Sequence, residues 1–326
     1  LELHPANDKV VYATTLGSSQ SSAKMFRSAN EGTSFKLLYE DPSVLRSNIA
    51  VSKARPNAVW VLTCNFLQGF NYVAYSQDGN TFNVAMNNTS YNFLNHSEDG
   101  NGVGGQGAYD LAFAINPQNT LEYLIGGVNT WQVREGANII SLANYWTSAD
   151  ITQAQTVHAD KHNIYYHPIN NYIYEVNDGG IYVSKDNGKQ WMDLTNGIDI
   201  GQIYRMDYFA GKLLAGHQDN GTKRLMDSGW KSVLGGDGMD NAINRKNINT
   251  QYGGVQNGVI YRTRNNWNDS KEISHFFDSI GQQGNWVTPY IVHPKSNAVF
   301  AGYLDVFKST NDGDTWTQLS FGGTSP

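Results

Sequence analysis

Residues 164–194 read "IYYHPINNYIYEVNDGGIYVSKDNGKQWMDL". Four apolar stretches are separated by three turn signals: a His-Pro pair with polar residues after it, an Asp-Gly-Gly, and a Ser-x-Asp-x-Gly. Each stretch is four to seven residues long and rich in Ile, Tyr and Val, which is strand composition, and the turns are too short for anything but hairpins. One such unit is a four-stranded antiparallel sheet.

The first half of this phrase recurs. An apolar strand stopping at a pair that ends in proline, a short polar turn and a second apolar strand appear as "LELHPANDKVVYAT", "IAVSKARPNAVWVLT", "LAFAINPQNTLEYLIGG", "IYYHPINNYIYEV" and "YIVHPKSNAVFAGY". Their prolines, Pro5, Pro56, Pro117, Pro168 and Pro294, are spaced by 51, 61, 51 and 126 residues. The last gap holds two degenerate copies, "YRMDYFAGKLLAGHQ" and "MDNAINRKNINTQYGGV", so the chain contains seven units.

The second half recurs as well, in "FRSANEGTSFKLL", "AYSQDGNTFNVA", "YVSKDNGKQWMDL" and "FKSTNDGDTWTQL". Ser28, Ser184 and Ser309 begin a pattern Ser-x-Asp/Asn-x-Gly-x-Thr/Ser/Gln-Trp/Phe, and Ser76 begins a copy one residue shorter. Gly32, Gly188 and Gly313 suit a left-handed turn position, and the Ser and Asp side chains suit bonds to backbone amides. The closing aromatic is expected to plug into the core. Seven four-stranded units predict an all-β chain, a single seven-bladed β-propeller over residues 1–326, since so small a sheet buries both faces only when neighbours cover them. Leu1 falls inside the innermost strand of the first unit, so the segment reads as a piece of a longer secreted protein.

Composition agrees. Among 326 residues there are 33 Gly, 19 Tyr and 8 Trp, and no long helical run of Ala, Leu, Glu and Lys. With 23 basic against 29 acidic residues and no Lys/Arg cluster, nucleic acid is not an expected partner. No apolar run approaches the roughly 20 residues of a membrane-spanning helix. One cysteine, Cys64, excludes an internal disulfide and any multi-cysteine zinc site, and reads as a small buried strand residue.

Blade topology locates the site. Segments entering the innermost strand and turns following the second strand share one face, opposite the Ser-x-Asp-x-Gly turns. That rim carries Tyr109, Asp110, His158, Asp160, His162, Asp178, Tyr204, Arg205, Gln218, Asp219, Asp237, Asp240, Gln256, Asn257, Trp286 and Asp305. Polar groups converging beside aromatic platforms suit a ligand, although Asp, Asn and Gly are also what turns require. Within "HADKH" (158–162), two imidazoles flank a carboxylate, but zinc needs a further protein ligand and calcium does not favour histidine. No cofactor is expected, with calcium on the rim's oxygens as the alternative. Strand alternation would place His158, Asp160, His162, Ile164 and Tyr166 on one side and Lys161 on the other.

The Ser-x-Asp-x-Gly copies resemble the bacterial neuraminidase repeat, or Asp-box, whose role is structural. Together with seven units and the "DGG-Y" turn of Asp178, Gly179, Gly180 and Tyr182, they resemble the sortilin-like and xyloglucanase-like propellers, as in secreted repeat proteins of Bacteroidetes. That resemblance implies one of two functions. The first is a non-catalytic propeller binding a glycan or peptide in a secreted or cell-surface bacterial protein. The second is a glycoside hydrolase acting on xyloglucan or a related β-glucan, with Asp178 and either Asp160 or Asp219 as the carboxylate pair.

Overall fold

The computed structural model describes residues 1–135, 139–146, 155–198 and 200–319. The chain is all-β, with seven consecutive antiparallel sheets in each of which the strands follow chain order, consistent with a seven-bladed β-propeller. In the fourth sheet, for instance, the strands are Lys161–Tyr166, Ile173–Asn177, Gly180–Ser184 and Met192–Asp193. The third sheet gains a fifth member, the two-residue strand Gln155–Thr156, paired in parallel. Each sequence phrase falls in its own sheet, including both degenerate copies. Among the described residues no helix is long and apolar enough to cross a membrane.

The sheets group into two compact units, Leu1–Ile198 with the first four and Asp199–Pro326 with the last three. In each, the apolar clusters lie between consecutive sheets, as expected of sheets too small to bury themselves. In the first unit, Tyr12 and Met25 of sheet one pack with Val59 and Val61 of sheet two. Trp60 and Leu62 pack with Phe113 and Tyr123 of sheet three, and Leu124 with Ile164 and Ile173 of sheet four. In the second, Leu214 meets Ile243, and Tyr252 meets Val299 and Phe307. Cys64 is fully buried in a strand, and burial pushes its thiol up to about 11, so it serves as a small apolar filler.

The Ser-x-Asp-x-Gly turns are built alike. Ser184 Oγ donates to Asp186 Oδ1 at 2.9 Å and accepts the Gly188 N–H at 2.8 Å, while Asp186 Oδ1 accepts the Gln190 N–H at 2.9 Å. The same three bonds recur from Ser28 and from Ser309. The closing aromatic docks on the preceding sheet: Trp191 Nε1 donates to Ala143 O at 3.0 Å, Trp316 Nε1 to Ile273 O at 3.2 Å, and the Phe82 ring lies 5.3 Å from Tyr39. Phe35 corrects the expectation, being 43% exposed. It belongs to the first sheet, which has no preceding sheet within its unit.

A fifth turn of this kind is present that the pattern did not reveal. Thr263 Oγ1 donates to Asn265 Oδ1 at 3.0 Å and accepts the Trp267 N–H at 2.9 Å, and Asn265 Oδ1 accepts the Asp269 N–H at 3.1 Å. Trp267 occupies the glycine position with φ +65°, and its indole donates to Gln251 Oε1 at 2.7 Å. Burial of the ring and that bond offset the cost of a left-handed bulky residue.

These turns should be quantitatively structural. Ser184→Ala is expected to cost about 1–3 kcal/mol, because the Gly188 N–H loses its acceptor, and Trp191→Ala about 3–5 kcal/mol. Urea unfolding measures both, and a loss under about 0.5 kcal/mol for Ser184→Ala would show that solvent replaces the hydroxyl.

Candidate functional site

The expected convergence of entry segments and second-strand turns holds within each unit. In the first, the turn Asn177–Gly180 brings Asp178 beside the start of the strand Lys161–Tyr166 and the segment before Ala112–Ile115. Asp178 Oδ1 receives His162 Nε2 at 2.5 Å, and Oδ2 receives the Tyr109 hydroxyl at 2.9 Å. The Tyr109 and His162 rings meet edge to face, 4.9 Å apart at 87°. Both oxygens of this carboxylate are thus held by side chains that themselves reach solvent, Tyr109 being 47% exposed.

Asp160 lies behind, with a carboxylate oxygen within 4.8 Å of one of Asp178. It takes a left-handed backbone, φ +62°, and accepts Gln106 Nε2 at 3.2 Å. Deeper still, Asp110 is fully buried. No N–H or hydroxyl of the other described residues reaches either of its oxygens, and its side-chain partner is Asp160. Two buried carboxyls side by side repel when both are charged, which favours the protonated form of one of them. Burial, then the charge of Asp160, pushes Asp110 up to about 9, and burial followed by the charge of Asp178 raises Asp160.

The strand register differs from the simple alternation. The left-handed Asp160 and a bulge between Lys161 and Asn163 rotate the chain, so Asp160 and Lys161 are buried while His162 is exposed. Lys161 Nζ donates to His158 O at 2.6 Å and Val128 O at 2.9 Å and stands 3.9 Å from Glu175 Oε1. Burial lowers the Lys161 pKa, with Glu175 drawing it back. Glu175, also fully buried, accepts Thr130 Oγ1 at 2.6 Å and Asn144 Nδ2 at 2.8 Å. This pair ties sheet three to sheet four directly beneath the site.

The "DGG" turn has a steric explanation. A Cβ on Gly179 would stand 2.2 Å from His158 Cγ, and one on Gly180, at φ +132°, 2.0 Å from Thr195 Oγ1. His158 therefore packs on the turn while His162 goes to Asp178. Among the described residues no set of three ligating side chains within 4.8 Å includes either histidine.

In the second unit the expected residues form two separate chains. Trp286 Nε1 donates to the Tyr204 hydroxyl at 3.1 Å, which donates to Gln218 Oε1 at 3.2 Å. Asp219 N–H donates to Asp237 Oδ1 at 2.8 Å, and Asp237 N–H to Gln256 Oε1 at 3.1 Å. Asn257 is left-handed and donates its N–H to Trp286 O. Asp305 accepts Gln282 and Gln318 side chains at 3.0 and 2.8 Å, a structural role. Arg205 donates to Tyr204 O, and Asp240 lines a cavity of its own.

The sequence did not single out Gln106, Lys161, Glu175 or Arg46. Arg46 Nη1 donates to Ala108 O and Tyr109 O, both at 3.0 Å, and so fixes the loop that presents Tyr109. Only the place of Lys161 within "HADKH" signalled any of them.

No protein-family model and no curated protein matches this chain. Among solved structures, it is similar to the GH74 enzyme of Niastella koreensis, with a TM-score of 0.42, 13% identity, and coverage of 97% of this chain and 53% of that one. The GH74 xyloglucanase of Xanthomonas campestris gives 0.40, 13%, and 96% and 51%. YCF48 bound to D1 peptide gives 0.36, 9%, and 93% and 91%. The chain spans about half the length of the two GH74 structures. The likeness bears on neither chemistry nor ligand.

The carboxyl pair makes stability fall with pH. Between the ordinary carboxylate range and about pH 9 the folded state holds a proton at Asp110 that the unfolded state has released. Stability is therefore greatest at the acid end of that window and declines towards pH 9, by at most about 1.4 kcal/mol per pH unit. Asp110→Asn, which can donate its amide to Asp160, should flatten the decline in urea titrations run from pH 5 to 9. An unchanged slope would remove the shared proton.

Proposed function

We propose that the chain is a non-catalytic ligand-binding module of a secreted or cell-surface bacterial protein, taking a glycan or peptide at the face formed by Tyr109, His162 and Asp178. The observation that carries this reading is the depth order of the three carboxyls. Asp110 is fully buried and Asp160 is buried, whereas Asp178 is partly exposed, with both oxygens already hydrogen-bonded. Glycoside hydrolysis needs two carboxyls flanking one scissile bond, and among these three carboxyls of the first unit one is partly exposed while the others stand behind it. A fixed acceptor beside an exposed tyrosine ring instead suits a sugar hydroxyl or a peptide N–H, with the ring as an apolar platform. The secreted setting is supported by the resemblance of the repeated turns to the Asp-box.

The hydrolase reading draws on one specific observation, the approach of Asp160 and Asp178 oxygens to within 4.8 Å, near the roughly 5 Å separation of retaining enzymes. One pair of assays separates the two. The binding reading expects a hit on a glycan array or in a peptide pull-down, weakened about tenfold or more by Tyr109→Ala or Asp178→Asn, with no reducing sugar released from xyloglucan. Empty binding screens together with sugar release abolished by Asp178→Asn would replace it with the hydrolase.

A further inference from the structure

In the second unit a cavity of about 240 Å³ opens between the first strands of sheets five, six and seven, Ile203–Phe209, Gly238–Ile243 and Tyr290–Val292. One wall is aliphatic, from Met206, Ile291 and Val292, and the other is polar, from Asp240, Asn241 and Arg245. The polar wall is incompletely satisfied. Asn241 is 5% exposed and donates its amide to Met239 O at 3.0 Å, yet its Oδ1 has no donor among the described residues. Arg245 donates through Nη2 to Asp207 Oδ1 at 2.7 Å, with its guanidinium 4.7 Å from the centre of the Phe209 ring, and its buried Nη1 has no acceptor. Asp240 has backbone N–H partners, Asn241 and Tyr290, and no ion pair among the described residues. Burial raises its pKa, while its backbone N–H partners and the charge of Arg205 draw it partly back.

Each unmet group specifies part of an occupant. A carboxylate without an ion pair among the described residues, beside an amide oxygen without a donor, suits an ammonium group. A guanidinium N–H whose charge Asp207 already balances suits a neutral carbonyl oxygen rather than a second carboxylate. The aliphatic wall suits a small branched side chain, and the volume, below the roughly 300 Å³ of drug-sized pockets, limits the occupant to about one residue. Water would satisfy the two orphan atoms but would leave Asp240 without a close ion pair and wet the aliphatic wall.

We propose that this cavity binds the amino terminus of a peptide: the α-ammonium on Asp240 and Asn241, the first carbonyl on Arg245, and an aliphatic first side chain against Met206, Ile291 and Val292. The site lies within the second unit and does not rest on the Tyr109–His162–Asp178 reading.

The test uses the full chain with valyl-glycinamide, its N-acetyl derivative and free valine, followed by calorimetry and by saturation-transfer NMR at about 10 mM ligand, enough to register millimolar affinity. The dipeptide amide is expected to bind, and N-acetylation, which removes the charge, to weaken it at least about tenfold. Free valine binding as tightly as the amide would keep the ammonium contact but overturn the neutral-carbonyl contact at Arg245 and with it the peptide as occupant. Met206→Trp fills the cavity from a side chain that is 57% exposed, so the fold should tolerate it, and it should abolish binding. Asp240→Asn should weaken the dipeptide amide about tenfold while leaving the acetylated form unaffected. No binding by any of the three ligands, equal binding of the acetylated form, or binding indifferent to Met206→Trp would overturn the proposal.

Discussion

A four-stranded sheet whose strands run to about five residues has two faces and too little area to bury either one alone. Every other feature of this chain follows from that shortage. The apolar clusters form between sheets rather than within them, so Leu124 of sheet three finds Ile164 of sheet four and Tyr252 of sheet six finds Phe307 of sheet seven. The closing aromatics serve the same end: Trp191, Trp316 and Phe82 each belong to one sheet and dock on the one before it. Phe35 shows the rule by exception, since within its unit nothing precedes its sheet and it stays exposed.

Because cohesion depends on what lies between sheets, charges placed there are costly unless their burial is offset. Lys161 and Glu175 are both at zero exposure, where desolvation of each charge is expensive. The structure answers with two backbone carbonyls for the ammonium and with Thr130 and Asn144 for the carboxylate. The pair therefore acts less as a source of attraction than as a fixed geometry, holding the start of sheet four against sheet three. Asp110 and Asp160 solve the same problem with a proton instead of a cation. Both solutions lie directly behind the face that carries Asp178.

The fold was legible in the sequence because it is written in turn chemistry and period, signals that survive without knowledge of tertiary contacts. All seven sheets fall on the seven repeated phrases, the degenerate fifth and sixth included. Local chemistry also set the limit. The turn at Thr263 makes the same three bonds as that at Ser184, yet Thr, Asn and Trp267 stand where Ser, Asp and Gly were sought. A hydroxyl, a carbonyl oxygen and a left-handed residue are what the turn needs, and the letters that supply them vary.

The site was legible by face and not by depth. Topology predicts that Asp110, Asp160 and Asp178 come together, and they do, but strand alternation assigned Lys161 to the wrong side because a single left-handed residue and one bulge rotate the chain at that point. That rotation decides the chemistry. Had Asp160 continued the strand, it would have shared the exposed side with His162, and two carboxyls would have fronted the solvent together. With Asp160 turned inward to Asp110 and Gln106, Asp178 alone faces outward, and its two oxygens are taken by the same Tyr109 and His162 that flank it. The backbone conformation of one aspartate thus decides which of these carboxyls stands at the front.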